Sequence, residues 1–500
     1  MVSSTITNHA STLNDRSIQF NEHEVRKDNV VNTIDYNITY LYTDKVIQLS
    51  ILSLCCYLTL KNDLLFYGLP LLKILIVFTM GSFLSFNNNF NNLWKFDTVY
   101  LFLLPLLMSF YFQTDCIFLN TILTFNSFDI SYLSKLLLQL YLLYSINGTF
   151  TTQVIPIFIN SLLCSILAKI GDYKSFDNID CNLFSIFLTN LLFLNDSKEL
   201  IYNNLFKALM FSLINVITIN YTIIKLLKLT KIEKNFKYLR SVLLSSNILI
   251  TFPLLVKNLV IEGQDPLIWL INFISTSIDR QKILFTWLLA LLILIPNIMM
   301  NKSKFSLNTS RKVWHFLIIV LLVYPFKIDP LFVKISLAGS IVLFLIVEYT
   351  RYLKLDPIGN QLDLHLRSFT DFRDENGPVI ISYIYLIVGV STPLLLSDSP
   401  IGLVGLGIGD SIASIVGKKI GTIKWPGTSK TVEGTVAFIL STMLTCHILK
   451  EYLGYFTDIS TADLFKICTL SGILEGNSVL NDNILIPTFM LICERIFARQ

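Results

Sequence analysis

The sequence predicts an all-α fold, a polytopic helical membrane protein with roughly 13–17 membrane-spanning or re-entrant helices. Three observations lead there. Of 500 residues, 53% are apolar and only 15% charged, whereas a soluble domain carries about 25% charged residues. The mean hydropathy is +0.62. Apolar runs of about 17–25 residues, enough to cross hydrocarbon as helix, recur from Val46 nearly to the C-terminus. A membrane barrel would need alternating strands of about ten residues, but Leu205–Leu229 is continuously apolar.

Taken in order, residues 1–44 form a polar tail. It lacks a basic start followed by an apolar core, so no cleaved signal peptide is expected and the first membrane helix is expected to act as the targeting signal. Residues 45–300 form a multi-span region, with candidate spans near 46–60, 64–86, 99–112, 116–124, 130–146, 151–170, 182–194, 205–229, 241–261, 265–276 and 283–300. No dense polar cluster lies within them, so this region reads as scaffold or lipid-facing bundle. Residues 301–500 have longer, charged loops between candidate spans 313–325, 331–349, 379–397, 401–416, 432–449, 464–480 and 484–498. Function is expected there.

The net charge of +4 comes without a lysine- or arginine-rich block interleaved with aromatics, so nucleic acid is excluded as a partner. The eight cysteines lie mostly inside apolar runs without C-x-x-C spacing and read as small buried hydrophobes. No obligate protein partner is inferred; membrane lipids are.

Loops 301–312, 350–378 and 417–431 are separated by pairs of crossings and therefore share one side. Their counterparts are shorter or poorer in Lys and Arg, which places the three in the cytosol. The turn at 480–483 returns to the same side if 464–480 crosses.

In "GLVGLGIGD" glycines at 402, 405, 407 and 409 lead to Asp410. The glycines suit close helix packing; an acid near a membrane core suits a polar cavity, a cation or an ion pair. "GKKIGTIKWPGTSKTVEG" interleaves Lys418, Lys419, Lys424 and Lys430 with Gly417, Gly421 and Gly427, and sets Pro426 and Thr428-Ser429 beside Lys430, with Glu433 following. Exposed backbone N–H groups, point charges and the start of a helix make a phosphate site. There is no G-x-x-x-x-G-K-[ST] here, so a soluble P-loop fold is not supported.

"SRKVWHF" places Arg311, Lys312 and His315 within one turn, as topology anchors or as contacts to phosphate or the lipid's polar end. "SFTDFRDENGP" brings Arg373, Asp374 and Glu375 before a span, as a solvated loop or as substrate contacts. In "NDN" (481–483), Asp482 is either a helix N-cap or a second metal-binding carboxylate. Together these residues suit phosphoryl transfer. Asp410 and Asp482 are the candidate Mg²⁺ ligands, cations led by Lys430 neutralise charge, and the residue that deprotonates the acceptor is left open.

The blocks "FRDENGPVIISYIYLIVGVSTPLLL", "GLGIGDSIASIVGKKIGTIKWPGTSKTVEGT" and "LNDNILIP" resemble, in order and spacing, the dolichol kinases, membrane enzymes that phosphorylate dolichol with CTP in the endoplasmic reticulum. "SRKVWHF" and the pair Glu348/Arg351 are similar to elements of the wider group with phytol kinase and CTP-dependent diacylglycerol kinase. The resemblance covers roughly 305–490; the front part is similar only in being multi-span. It implies a CTP-binding loop at Gly417–Lys430, with Asp410 and Asp482 near the metal and transferred phosphate. The choice of CTP comes from the resemblance alone. The central block is also similar to phosphatidate cytidylyltransferases, but their longer acid run and Ser-Arg ending are missing. A transporter of a phosphorylated solute would more naturally show two similar halves.

Overall fold

The computed structural model describes residues 43–86, 103–108, 122–128, 130–147, 151–171, 178–193, 200–230, 238–258, 265–300, 307–367, 379–380, 382–478 and 480–498. Among these the fold is helical throughout, as the apolar runs require. The sole strand-like feature among the described residues is an isolated antiparallel bridge between Lys424 and Thr431. The helices are α1 (Thr43–Phe86), α2 (Tyr132–Asn147), α3 (Thr151–Gly171), α4 (Asn178–Phe193), α5 (Leu200–Thr230), α6 (Leu239–Asn258), α7 (Pro266–Ser275), α8 (Ile278–Met300), α9 (Leu307–Ile328), α10 (Pro330–Tyr352), α11 (Gly359–Arg367), α12 (Ser382–Leu396), α13 (Ile401–Ile420), α14 (Val432–Leu453), α15 (Thr461–Asn477) and α16 (Asp482–Ala498). Five of them, α5, α6, α10, α13 and α14, are long and apolar enough to cross a membrane.

Several expected boundaries differ, among them the start of α9 at Leu307 inside the loop expected at 301–312. Spans 46–60 and 64–86 form one helix, α1. Lys61, Asn62 and Asp63 interrupt the apolar run, but each keeps its backbone donor, so polarity alone does not stop the helix. Within the loop expected at 350–378, residues Gly359–Arg367 form the short helix α11.

α13 lies among α9, α14 and α16, and its path explains its glycines. It changes from α to π geometry over Gly405–Gly409, just before Asp410. A Cβ on Gly407 would stand 2.2 Å from Ile319 Cδ1 and 3.0 Å from the His315 carbonyl oxygen of α9. One on Gly409 would stand 2.6 Å from the Phe438 ring of α14. Only a residue without a side chain lets the backbones approach this closely, and the approach brings Asp410 within reach of α9.

α9 gives the bundle its two ends. Lys312 meets Asp410 at one end, while at the other Lys327 donates to the Gly454 carbonyl at 3.1 Å and Tyr455 donates to the Val323 carbonyl at 2.9 Å. Helical rise puts about 22 Å between Lys312 and Lys327, less than the roughly 30 Å of a hydrocarbon core. The polar groups around Lys312 therefore lie less than a full hydrocarbon thickness from the opposite end of α9.

At the C-terminal end of α10, Arg351 is almost wholly buried and donates to both oxygens of Glu348, at 2.8 and 2.6 Å. It also meets Asp363 of α11 at 2.5 Å. Glu348 accepts from the Ile380 N–H at 2.7 Å and from the Tyr383 hydroxyl of α12. One ion-pair network thus ties α10, α11 and α12 together.

Candidate active site

The Asp410 carboxylate is buried. Its Oδ2 accepts from Lys312 Nζ at 2.5 Å, and His315 Nδ1 lies 3.4 Å away. Lys312 and His315 are one turn apart on α9, so both reach the same acid. The sequence left them as topology anchors or as contacts to phosphate or lipid; in the structure both stand beside the acid.

Loop 421–431 is a tight hairpin. Trp425 N–H donates to the Lys430 carbonyl at 3.0 Å and Val432 N–H to the Ile423 carbonyl at 2.8 Å. At its tip Thr428 N–H donates to the Trp425 carbonyl at 3.3 Å across Pro426 and Gly427. Gly427 has φ +77°, the left-handed conformation that a Pro-Gly turn of this kind demands at its second central residue. Glu433 fixes the base of the hairpin by accepting from the Thr422 N–H at 2.8 Å and hydroxyl at 2.6 Å, and from the Ile423 N–H at 3.1 Å. Thr431 caps α14 by accepting from the Gly434 N–H at 3.2 Å. Gly417 and Gly421 pack closely on the same threonine.

The hairpin delivers Lys430 to α15 and α16. Its ammonium donates to the Asp482 carboxylate at 2.8 Å and to the Glu475 carbonyl at 2.9 Å, and stands 2.7 Å from Glu475 Oε1. Burial alone pulls the lysine pKa down, but Asp482 and Glu475 facing it outweigh burial, and the net shift is upward. The Thr428 hydroxyl donates to the Gly476 carbonyl at 3.2 Å, fastening the hairpin to the end of α15. The first two turns of α1 adjoin the same place: Gln48 donates to the Asn477 carbonyl at 2.5 Å, and Asp44 lies against Gly427.

The sequence left two roles open for Asp482. Asn481 takes the first of them: its side chain accepts from the Asn483 N–H at 3.0 Å at the entrance to α16. Asp482 is thereby left to face Lys430.

Glu475 escaped the sequence reading. It sits in "SGILEGN", near the end of an apolar helix, and a lone acid within such a run is the signal that points to it. Asp410, Glu475 and Asp482 each offer a carboxylate oxygen, and the three atoms lie within 4.8 Å of one another. Three hard oxygen donors suit Mg²⁺, whose bonds of about 2.0–2.1 Å put opposite ligands about 4.2 Å apart. Beside Asp410, His315 Nδ1 and Ser411 Oγ are buried without a hydrogen-bond partner, and an unsatisfied buried polar group is open to an ion or a water. The residues fit a divalent cation.

Of the other expected contacts, Lys418, Lys419, Lys424 and Ser429 are exposed on α13 and the hairpin, and the ion pairs of the acid cluster do not involve them. Arg311 lies in α9, but its side chain is outside the described residues, as are Arg373, Asp374 and Glu375 entirely.

Comparison with known proteins bears on the same chain. Over 421 residues it is 45% identical to a dolichol kinase of Saccharomyces cerevisiae, covering 82% of this chain and 79% of the relative. The chain belongs to the dolichol kinase family. A dolichol kinase of Schizosaccharomyces pombe is 33% identical over 348 residues, 64% of this chain and 68% of its own length. The dolichol kinase of Homo sapiens is 29% identical over 255 residues, 46% of this chain and 47% of its own. Residues 3–196 match the family described as dolichol kinase N-terminal domain. This corrects the extent of the resemblance, because the family match includes the front region, where no chemical motif stands out. No solved structure matches the chain.

Proposed function

We propose that this chain transfers the γ-phosphate of CTP to the terminal hydroxyl of dolichol, giving dolichyl phosphate for protein glycosylation and GPI-anchor precursor synthesis. The setting is the endoplasmic reticulum membrane, with the catalytic loops facing the cytosol. One observation carries the reading: in a member of this kinase family, three carboxylates and two lysines from five separate elements meet at the rim of the membrane bundle. Phosphoryl transfer asks mainly for positioning and charge neutralisation, and a lipid alcohol presents its hydroxyl at that depth.

Residues 301–500 are assigned as the catalytic region and 45–300 as its membrane support, with 1–44 a polar tail. Asp410, Glu475 and Asp482 would hold Mg²⁺, which when bound supplies charge neutralisation at the phosphate oxygens. Lys430 serves the transferred phosphate from the hairpin, with Lys418, Lys419 and Lys424 drawing the nucleotide's negative charge towards it. Gly417, Gly421, Pro426, Gly427, Thr428, Ser429 and Glu433 shape that loop. Lys312 and His315 orient Asp410, and Arg311, Arg373, Asp374 and Glu375 are assigned to substrate contacts nearby.

The lipid assignment is tested by giving membranes containing the protein γ-labelled CTP with dolichol, diacylglycerol or phytol in parallel. Label in dolichol is expected; label in diacylglycerol or phytol without dolichol contradicts the assignment.

A further inference from the structure

We propose that Lys430 is a displaceable counter-cation: a divalent metal ion enters the Asp410–Glu475–Asp482 cluster by taking the place of the Lys430 ammonium, which is then released towards the nucleotide. The inference deepens the reading above, and its biological use rests on that reading.

Charge balance comes first. Three carboxylates share the cluster with two ammonium groups, Lys312 on Asp410 and Lys430 on Glu475 and Asp482. With all three carboxyl groups ionised and His315 neutral, one negative charge is left uncompensated in a partly buried place, where such a charge is costly. Exchanging Lys430 for a divalent cation leaves none. Adding the metal with both lysines retained would make the cluster net positive and press like charges together.

Dimensions agree. Lys430 holds its two carboxylates at 2.7 and 2.8 Å, the spacing of an ammonium hydrogen bond, while Mg²⁺ bonds are about 2.0–2.1 Å. The three acid oxygens lie within 4.8 Å of one another, a span that an ion with bonds of about 2.0–2.1 Å can draw together. His315 supplies an independent pointer: its side chain is 5% exposed, and Nδ1 lies 3.4 Å from Asp410 Oδ2 without a hydrogen bond.

The two lysines are not equivalent. Lys312 projects from the rigid turn of α9 and its side chain is 12% exposed, whereas that of Lys430 is 27% exposed and rides on a hairpin. Lys430 has the route out. Its release frees an ammonium two residues from Thr428, on the same loop that the proposed function gives to the nucleotide.

The experiment uses the full chain in detergent or nanodiscs, without nucleotide or lipid substrate, with Mn²⁺ as the probe and free Mn²⁺ read by electron paramagnetic resonance. Lys430→Met is expected to tighten Mn²⁺ binding at least about tenfold, and Glu475→Gln to weaken it at least about tenfold. Unchanged or weaker binding in Lys430→Met overturns the proposal, as does unchanged binding in Glu475→Gln. A second measurement needs no variant: amine footprinting of the wild-type chain by mass spectrometry should show Lys430 more reactive when Mn²⁺ is added. Unchanged Lys430 reactivity at saturating Mn²⁺ also overturns it. Metal exchange without phosphoryl transfer would sink the kinase mechanism and leave the exchange standing; transfer without exchange would do the reverse.

Discussion

The Lys430 ammonium lies 2.8 Å from Asp482 Oδ1, 52 residues further along the chain, and the same ammonium reaches Glu475 on the preceding helix. A hairpin lysine therefore bridges the end of α15 and the start of α16. Breaking such a partly buried pair from one side leaves the other charge uncompensated.

Lys430→Ala and Asp482→Asn are each expected to lower the rate of lipid phosphorylation at least about 100-fold, the scale of losing one charged group aimed at a transition state. The chain should stay inserted and abundant. Turnover per mole of membrane-inserted protein checks this, and loss in proportion to abundance would make both residues structural.

Lys312 and Asp410 should behave as one unit. Lys312→Met, Asp410→Asn and the double variant form a cycle in which the double variant is expected to lose far less activity than the sum of the singles. Additive losses would show that the 2.5 Å contact has no energetic consequence.

The Glu348–Arg351–Asp363 network should govern stability rather than chemistry. Glu348→Gln leaves Arg351 buried with one partner fewer and is expected to cost about 3–5 kcal/mol. Arg351→Lys is no conservative change, because one ammonium cannot replace the guanidinium's bidentate grip on Glu348 together with its bond to Asp363. Thermal unfolding in detergent should report both, with kcat of the surviving protein little altered.

Two pH effects follow with opposite signs. Burial raises the Asp363 carboxyl pKa, but hydrogen bonds and charge from Arg351 and Arg367 overcome it and hold the pKa below the ordinary carboxylate value. Its contribution is present above the unfolded value of about 3.9 and is lost as pH falls through the lower folded value. Acid unfolding should therefore weaken in its dependence on pH in Asp363→Asn. The Lys430 pKa is raised, so its ion pairs contribute fully below about pH 10.4 and are lost only as pH rises through the higher folded value. An activity profile from about pH 6 to 9 should show no limb that disappears in Lys430→Arg.

Gly427 holds a left-handed φ with Asp44 against it. Gly427→Val should strain the hairpin by about 1–3 kcal/mol and raise the KM for CTP about tenfold. An unchanged KM would separate the turn from the nucleotide.

Much of this was legible because apolar runs report helices and charged interruptions report loops. α5, α10 and α14 fall where hydropathy puts them, and Asp410, Lys430 and Asp482 announce themselves as charges at membrane boundaries. Glu475 does not, since its neighbours are those of an ordinary apolar helix and its role comes from a lysine 45 residues away. The assignment of Lys312 and His315 to Asp410 depends equally on a helix crossing, made possible at Gly407, that no local pattern encodes. The front region is harder still. Its family match rests on no polar constellation, and among the described residues Asp44 and Gln48 tie it to the hairpin and α15.

The most direct measurement follows the label through the reaction. Membranes containing the wild-type chain, given dolichol and CTP labelled at either the γ- or the α-phosphate, should yield labelled lipid from the γ-label alone, and the Lys430→Ala chain should yield almost none. Labelled lipid from α-labelled CTP would mean cytidylyl transfer, and equal γ-labelling by the Lys430→Ala chain would remove the acid-and-lysine cluster from the chemistry.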